Sequence, residues 1–169
     1  MLRVETEPAA ISASNFSITH MTEHDLLEVV EIEEASGLSR WGWEAYHAEL
    51  QQKSGTLMFV ASAATPVAGV RLSGFIASRL IGDELHVNNV AVRDEYRRAG
   101  IGRTLLERVL AAAREAGASA AFLEVRASNE AAKALYSRCG FCVAGQRKNY
   151  YSDPPENALL MRRIIKRSA

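Results

Sequence analysis

The alternation of apolar and polar residues along the chain predicts a protein that mixes helices and strands. Runs with a two-residue period, or bounded by turn residues, predict strands at 15–19, 56–64, 67–80, 84–92, 120–126, 141–151 and 157–165. Apolar stripes that repeat every three or four residues predict helices at 22–37, 39–53, 100–116 and 129–138. The dipeptide Thr65-Pro66 is predicted to form the turn between the second and third strands. The fold class is therefore α/β.

The two later helices suggest how the strands are arranged. One helix separates strands 84–92 and 120–126, and the other separates 120–126 from 141–151. A helix between two strands makes a crossover connection, so part of the sheet is expected to be parallel. The three consecutive strands between 56 and 92 have no such helix and are expected to pair in antiparallel fashion. Together these features predict a mixed, twisted sheet.

Length and composition support one globular domain. The chain has 169 residues, of which 48% are hydrophobic and 24% are charged. Its longest apolar stretch, 57–64, is far shorter than the ~18 residues that cross a bilayer, and its first residues lack an apolar signal segment. We therefore expect a cytoplasmic protein without membrane contact. Residues 1–14 are expected to be a flexible leader, and 15–169 a single domain.

A net charge of zero hides two oppositely charged halves. Residues 1–60 contain ten acidic and three basic residues, whereas 93–169 contain fifteen basic and eight acidic residues. One interpretation is that the basic half binds an anion and the acidic half a cation. The alternative is that both sets of charges form solvated helix faces.

The segment 89–106 has the features of an anion-binding turn. An apolar strand leads into Gly100 and Gly102, whose missing Cβ atoms let a ligand approach the backbone closely. The unpaired amides of the following helix suit a phosphate, and Arg97, Arg98 and Arg103 add positive charge. The segment is neither a dinucleotide fingerprint nor a Walker loop. On these residues alone, a capped helix beside solvated arginines remains an alternative.

Arg97-x-x-Gly100-x-Gly102 resembles the acetyl-coenzyme A pyrophosphate loop of the GNAT acetyltransferase superfamily, whose pattern is Gln/Arg-x-x-Gly-x-Gly/Ala. The segments 123–129 and 134–141 resemble the second half of that superfamily's core. With Arg147-Lys-Asn-Tyr-Tyr151, they are similar to the RimI group, which acetylates the N-terminal alanine of ribosomal protein S-eighteen. The resemblance covers roughly 15–165 and implies a mixed central β-sheet flanked by helices on both faces.

The resemblance also implies an acetyl-CoA site and a catalytic pair. Glu124 takes the role of general base, and Tyr136 takes that of general acid toward the departing thiolate. The coenzyme-binding positions are Val90, Ala91, Val92, Arg97, Arg98, Ala99, Gly100, Ile101, Gly102, Arg103 and Asn129. No metal is implied. Other roles are possible on the residues alone. Glu124 can be a strand carboxylate that pairs with Arg126, Tyr136 can pack in the core, and Asn129 can act only as a helix cap.

Acetyl transfer to an amine explains the need for such a pair. A free α-amine has a pKa of about 8, so at neutral pH a base must help to remove its proton. Glu84 and His86 alternate on one strand face and form a rival pair for this role. The resemblance places the amides that stabilise the oxyanion near Val92, where the family strand bulges. Cys139 and Cys142 match a CxxC spacing that is more often structural than redox-active.

The acidic half bears on the acceptor. In the superfamily the first two helices border the acceptor entrance, so five glutamates are expected around the channel mouth: Glu31, Glu33, Glu34, Glu44 and Glu49. Such a rim favours a basic protein N-terminus. Four aromatic residues are expected to select a small first residue: Trp41, Trp43, Tyr150 and Tyr151.

Two alternatives remain open at this point. One is an acetyltransferase for small amines such as polyamines or antibiotics, because Ser39-Arg-Trp-Gly-Trp43 departs from the Pro-Trp usual in the RimI group. The other is a catalytically silent domain that binds acyl-CoA or RNA. For the main interpretation, we expect a monomer or weak dimer without direct nucleic-acid binding.

Overall fold

The computed structural model describes residues 15–38, 40–67 and 69–165, so the predicted leader lies outside the described residues. The strands are β1 (Phe16–His20), β2 (Thr56–Val67), β3 (Val70–Ile81), β4 (Glu84–Val92), β5 (Ala120–Arg126), β6 (Cys142–Ser152) and β7 (Pro155–Ile164). The helices are α1 (Leu26–Ala35), α2 (Gly42–Leu50), α3 (Ile101–Glu115) and α4 (Glu130–Arg138), with 3-10 turns at Glu23–Asp25 and Asp94–Tyr96. The predicted order of elements is confirmed.

The seven strands form one sheet in the order β1-β2-β3-β4-β5-β7-β6. Strands β4 and β5 pair in parallel, and every other neighbouring pair is antiparallel. The parallel pair is the one connected through α3, as a crossover helix requires. The predicted mixed sheet is therefore confirmed.

Side-chain alternation along the central strands builds a core on each face of the sheet. On β2, Phe59 and Ala61 point into a core shared with α3 and α4, whereas Met58 and Val60 point into a core shared with α1 and α2. Each face buries apolar area against helices, which is the main stabilising contribution in such a layered fold. Helices therefore flank both faces, as expected.

One apolar side chain of the predicted helix 22–37 lies outside the core, and one local prediction was wrong. Leu27 is 73% exposed, because Leu26, Val29 and Ile32 already face the sheet. The turn predicted at Thr65-Pro66 is instead part of β2, which continues to Val67 across irregular pairing with β3. No helix among the described residues is long and apolar enough to span a membrane.

Candidate active site

The parallel strands β4 and β5 separate after a short region of pairing, and a cavity opens where they part. Their register runs only from Glu84 opposite Ala120 to Val87 opposite Leu123. Beyond that point each strand pairs only with its outer neighbour, so the facing backbone groups of the two strands have no strand partner. The cavity has a volume of about 660 Å³ and is lined by residues 87–90 of β4 and 122–126 of β5.

Glu124 lies on β5 in the wall of this cavity. Its Oε1 atom is 2.8 Å from the Nε atom of Arg147 on β6, and its side chain is 22% exposed. Its hydrogen bond with Tyr150 raises the pKa of the Tyr150 phenol. The alternative partner considered from the sequence, Arg126, instead pairs with Glu156 at 3.4 Å. The Glu124 carboxylate is thus held at the cavity by two groups of β6.

Tyr136 approaches the same cavity from α4 and is only 8% exposed. Burial raises the pKa of its phenol far above the usual value, and the nearby Tyr151 and Cys139 act in the same direction. The phenol is therefore neutral throughout the physiological pH range and carries a proton that it can donate. Glu124 and Tyr136, which are twelve positions apart in sequence, meet at one cavity.

Asn129 also lines the cavity and caps α4. Its Oδ1 atom accepts a hydrogen bond from the backbone N–H of Ala132 at 3.1 Å. The capping role considered from the sequence is therefore present. Within the described residues the amide nitrogen of Asn129 makes no hydrogen bond, so it can donate to a ligand in the cavity.

The rival pair, Glu84 and His86, lies at the other end of the cavity. The Nε2 atom of His86 is 3.3 Å from Glu84 Oε2, and its ring stacks on Phe122 with 5.7 Å between centroids. Both side chains are more exposed than that of Glu124. The structure therefore keeps this pair as a second candidate for the base.

The predicted pyrophosphate loop forms the N-terminus of α3. Gly100 precedes the helix with a φ of 82°, in the left-handed region that favours glycine. A Cβ atom built at Gly102 would lie 3.3 Å from Leu135 Cδ2 and 3.6 Å from Val92 Cγ2. The helix end, the end of β4 and α4 are thus close together, and Gly102 keeps their junction open.

The arginines of this loop differ in their surroundings. Arg97 pairs with Asp94 at 3.0 Å and Arg103 with Glu107 at 2.7 Å, so both guanidinium groups already have carboxylate partners. Arg98 has a φ of 63°, which is strained for a residue with a side chain. The side chains of 97–103 do not line the cavity between β4 and β5. They surround the helix end beside it.

The bulge of β4 lies four residues earlier than expected. The register with β3 shifts between Val87 and Asn89, which leaves Asn88 as the extra residue. The backbone near Val92 is instead regularly paired opposite Gly74. We therefore correct the predicted position of the outward amides from Val92 to Asn88, which lines the cavity.

The predicted acidic rim is wrong for four of its five members: Glu34 lies in the wall of a cavity at this site, whereas Glu31, Glu33, Glu44 and Glu49 do not. Glu33 is 1% exposed and accepts hydrogen bonds inside the protein. Glu49 pairs with Arg79 at 2.8 Å, and Glu31 pairs with Arg93 at 3.2 Å. These arginines come from strands β3 and the end of β4, where they neutralise the helix carboxylates.

A second cavity of about 540 Å³ continues the first between the α1–α2 connection and the β6–β7 turn. Its acidic side chains are those of Glu34 and Asp153, and Arg40 also lies in its wall. Of the four predicted aromatic residues, Trp41, Tyr150 and Tyr151 line the first cavity. Trp43 does not, because it stacks on His47 at the surface, where it is 43% exposed.

Sequence reasoning missed the residues that hold the cavity walls. Arg147 belongs to the motif at 147–151, but the motif does not indicate that its side chain binds Glu124. Arg126 donates to the carbonyls of Asp153 and Pro154 and so holds the β6–β7 turn. Their basic character is the only signal in the sequence, since their partners lie 23 to 30 positions away.

The two cysteines do not form a paired site. Cys139 is buried and Cys142 is exposed, and both are free. Among the described residues, no three His, Cys, Asp or Glu side chains are grouped so that they could hold a metal ion.

The sequence of this chain also matches a known protein family. Residues 26–141 match the acetyltransferase (GNAT) family, and the chain belongs to this family. This assignment confirms the acyltransferase class and the fold expected from the sequence.

Three individual proteins narrow the comparison. The chain is 32% identical over 145 residues to a protein of Bacillus subtilis (strain 168), covering 86% of this chain and 93% of that protein, which is provisionally named a ribosomal protein bS18-alanine N-acetyltransferase. The crystal structure of the ribosomal protein S-eighteen alanine N-acetyltransferase from Escherichia coli superimposes with a TM-score of 0.78 at 31% identity, covering 91% and 96% of the two chains. A nourseothricin acetyltransferase structure is also 31% identical, with a TM-score of 0.60 and 69% of each chain covered.

Proposed function

We propose that this protein transfers the acetyl group of acetyl-CoA directly to the N-terminal α-amine of a protein. The observation that carries the proposal is the cavity between β4 and β5, where the Glu124 carboxylate and the buried Tyr136 phenol meet. A carboxylate can accept a proton, and the buried phenol carries one that it can donate. Direct transfer of an acyl group from a thioester to an amine needs one of each.

The residues at the end of α3 fit the coenzyme. The amides of Ile101, Gly102 and Arg103 begin a helix, so they have no partner within it and suit the pyrophosphate. The open backbone of Val90, Ala91 and Val92 faces the gap left by β5, where an extended amide-containing arm can pair with it. Arg97, Arg98 and Ala99 complete the turn, and the Asn129 amide nitrogen adds a donor at the cavity.

The chain's residues then divide the chemistry between them. Glu124 accepts a proton from the protonated acceptor amine, which frees the nitrogen lone pair to attack the carbonyl carbon of the thioester. Asn88 lines the cavity at the bulge of β4, and we assign the stabilisation of the developing oxyanion to a backbone N–H there. Tyr136 gives its proton to the sulfur as the carbon–sulfur bond breaks, and its phenolate takes up the second proton that the nitrogen loses on becoming an amide, while Glu124 releases its proton to solvent.

For the acceptor, we infer the N-terminal alanine of ribosomal protein S-eighteen, acting in the cytoplasm. Support comes from the Bacillus subtilis and Escherichia coli proteins, which are named for this reaction and align over most of the chain. Trp41, Tyr150 and Tyr151 narrow the cavity in which the amine must react, which suits a small first residue.

A panel of acceptors tests this assignment. We expect a peptide that begins with alanine and continues with arginine to react best. The same peptide with a blocked N-terminus should not react, even when it contains a lysine side-chain amine. Because Glu34 and Asp153 share their cavity with Arg40, we expect basic peptides to be preferred over acidic ones by only a few-fold. This preference should weaken with added salt. Mass spectrometry of the products locates the acetyl group. Equal rates for acidic and basic peptides at low salt would contradict the preference.

A small amine is the second candidate acceptor, because the nourseothricin acetyltransferase structure shares 31% identity with this chain. The same panel decides between the two if it includes polyamines and an aminoglycoside-like antibiotic. Faster transfer to these amines than to any peptide would favour the second candidate.

The coenzyme loop gives a separate prediction. Replacing Gly102 by valine should raise the Kd of acetyl-CoA at least about tenfold, because even a Cβ atom is 3.3 Å from Leu135 and two further methyl groups must enter the same junction. Isothermal calorimetry measures the affinity, and thermal unfolding measures stability. Ala116→Val, at the exposed C-cap residue of α3, is the control for adding a β-branched residue at the end of the helix away from the loop. An unchanged Kd in Gly102→Val would contradict the loop assignment.

A further inference from the structure

Glu33 is a buried carboxylate that the transfer chemistry does not use. It lies on α1 with 1% exposure. Four groups donate hydrogen bonds to it: the backbone N–H groups of Trp41 (2.9 Å) and Gly42 (3.0 Å), the Tyr46 hydroxyl (2.8 Å) and the Asn89 amide (3.3 Å). A buried charge is costly unless its hydrogen bonds are satisfied, and here both oxygens are used. Such a complete set of donors indicates a built contact.

The carboxylate caps a neighbouring helix. Trp41 and Gly42 begin α2, and the side chain of Trp41 supplies no cap of its own. A negative group at the first amides of a helix satisfies unpaired donors and interacts favourably with the helix dipole. Glu33 therefore links the start of α2 to α1 and fixes the position of the connection between the two helices.

The same network reaches the strand on the other side of the cavity. The Asn89 amide donates to the Tyr46 hydroxyl at 2.8 Å, and that hydroxyl donates to Glu33. Asn89 directly follows the bulged residue of β4 and lines the cavity. The α1–α2 connection, which supplies Ser36, Gly37, Leu38 and Trp41 to the cavity wall, is thus tied to β4 through side chains.

The wall formed by the α1–α2 connection lies on the opposite face of the sheet from the proposed coenzyme loop, which suits the acceptor. The proposed coenzyme loop and α4 lie with the core of α3, whereas α1, α2 and Glu33 lie on the opposite face. In a direct transfer the two substrates must meet at the reacting carbon, so the acceptor enters from the side that the coenzyme leaves open.

We propose that Glu33 is a positioning residue that holds the α1–α2 connection in register with β4, so that the acceptor wall is formed before the peptide arrives. The proposal rests on the proposed function, since it assigns this wall to the acceptor. A preformed wall avoids the entropic cost of ordering the connection on binding, and it therefore acts on acceptor affinity.

Steady-state kinetics of Glu33→Gln test this role. Glutamine keeps the size of the side chain but replaces one acceptor oxygen by an NH₂ group, which cannot accept from Trp41, Gly42 or Tyr46. We expect the peptide KM to rise about tenfold, kcat to stay within about twofold and the acetyl-CoA Kd to stay unchanged. Glu44→Gln is the matched control, because it removes an exposed carboxylate from the first turn of α2, the helix whose start Glu33 caps. The control should keep the wild-type KM.

A second readout follows the connection itself. Amide hydrogen exchange measured by NMR should speed up at Trp41 and Gly42 in Glu33→Gln but not in Glu44→Gln, since only the first substitution removes their acceptor. If Glu33→Gln does not fold, Tyr46→Phe replaces it. That variant keeps both amide contacts and cuts the hydroxyl link to Asn89, so we expect a few-fold rise in peptide KM with kcat unchanged.

The outcomes separate the two proposals. Wild-type protein that acetylates no peptide would overturn the proposed function and the acceptor role together. An active wild type with Glu33→Gln indistinguishable from Glu44→Gln would overturn the positioning role alone. A fall in kcat at constant peptide KM, accompanied by lower thermal stability, would also overturn it, because that is the signature of a residue needed only for folding.

Discussion

Glu124→Gln is expected to lower kcat/KM for a peptide acceptor by about 100-fold at pH 7, the lower range of a positioned general base. At this pH most of an α-amine with a pKa of about 8 carries a proton that must be removed. Above pH 8 the amine loses this proton without help, so the deficit should shrink steadily toward pH 9.5. Initial rates of thiol release, measured from pH 6 to 9.5 at low peptide concentration, give the profile.

The ion pair with Arg147 requires a control, because Glu124→Gln also leaves a guanidinium without its partner. Arg147→Gln breaks the same pair but keeps the carboxylate, and it should cost much less than Glu124→Gln. Equal losses in the two variants would assign the effect to the ion pair. Near-normal rates in Glu124→Gln together with a large loss in Glu84→Gln or His86→Gln would move the base to the rival pair on β4.

Local signals explain why the elements around the proposed coenzyme site could be predicted from the sequence. The turn before α3 depends on Gly100, whose positive φ is a property of one residue, and on an arginine cluster next to it in the chain. The strand that carries Glu124 and the helix that carries Tyr136 each follow from a simple apolar period. Such features need no knowledge of the tertiary structure.

The acceptor half depends on contacts between distant residues, and there the predictions were weaker. The acidic rim failed because Arg79 and Arg93, which neutralise Glu49 and Glu31, reach them from other elements. The bulge at Asn88 arises from pairing with β3 and has no mark in the local sequence.

The sequence does indicate that Glu33 is buried, because it lies four positions after Val29 and seven after Leu26, on the buried stripe of α1. A carboxylate at a stripe position indicates a buried polar contact. Its four donors, however, come from α2 with its N-cap and from β4, two segments that only the fold brings to α1.

Tyr136→Phe is expected to lower kcat by about tenfold to 100-fold, because protonation of the departing thiolate then depends on water. Since burial raises the pKa of this phenol well above 10, wild-type Tyr136 stays protonated throughout the assay range. The loss in Tyr136→Phe should therefore be a constant factor between pH 6 and 9.5, in contrast to the pH-dependent loss in Glu124→Gln. Saturating both substrates at each pH isolates kcat.

Tyr96→Phe is the matched control for removing a buried hydroxyl. The Tyr96 hydroxyl is buried without a hydrogen-bond partner among the described residues, and the side chain is 4% exposed in the core shared with α3. Its removal should leave kcat unchanged and should not lower the free energy of unfolding, since no hydrogen bond is lost. Tyr136→Phe should likewise keep its fold, because only one oxygen atom is removed from a packed ring. If its kcat matches that of Tyr96→Phe, the thiolate obtains its proton elsewhere and Tyr136 only packs against Phe141 in the core.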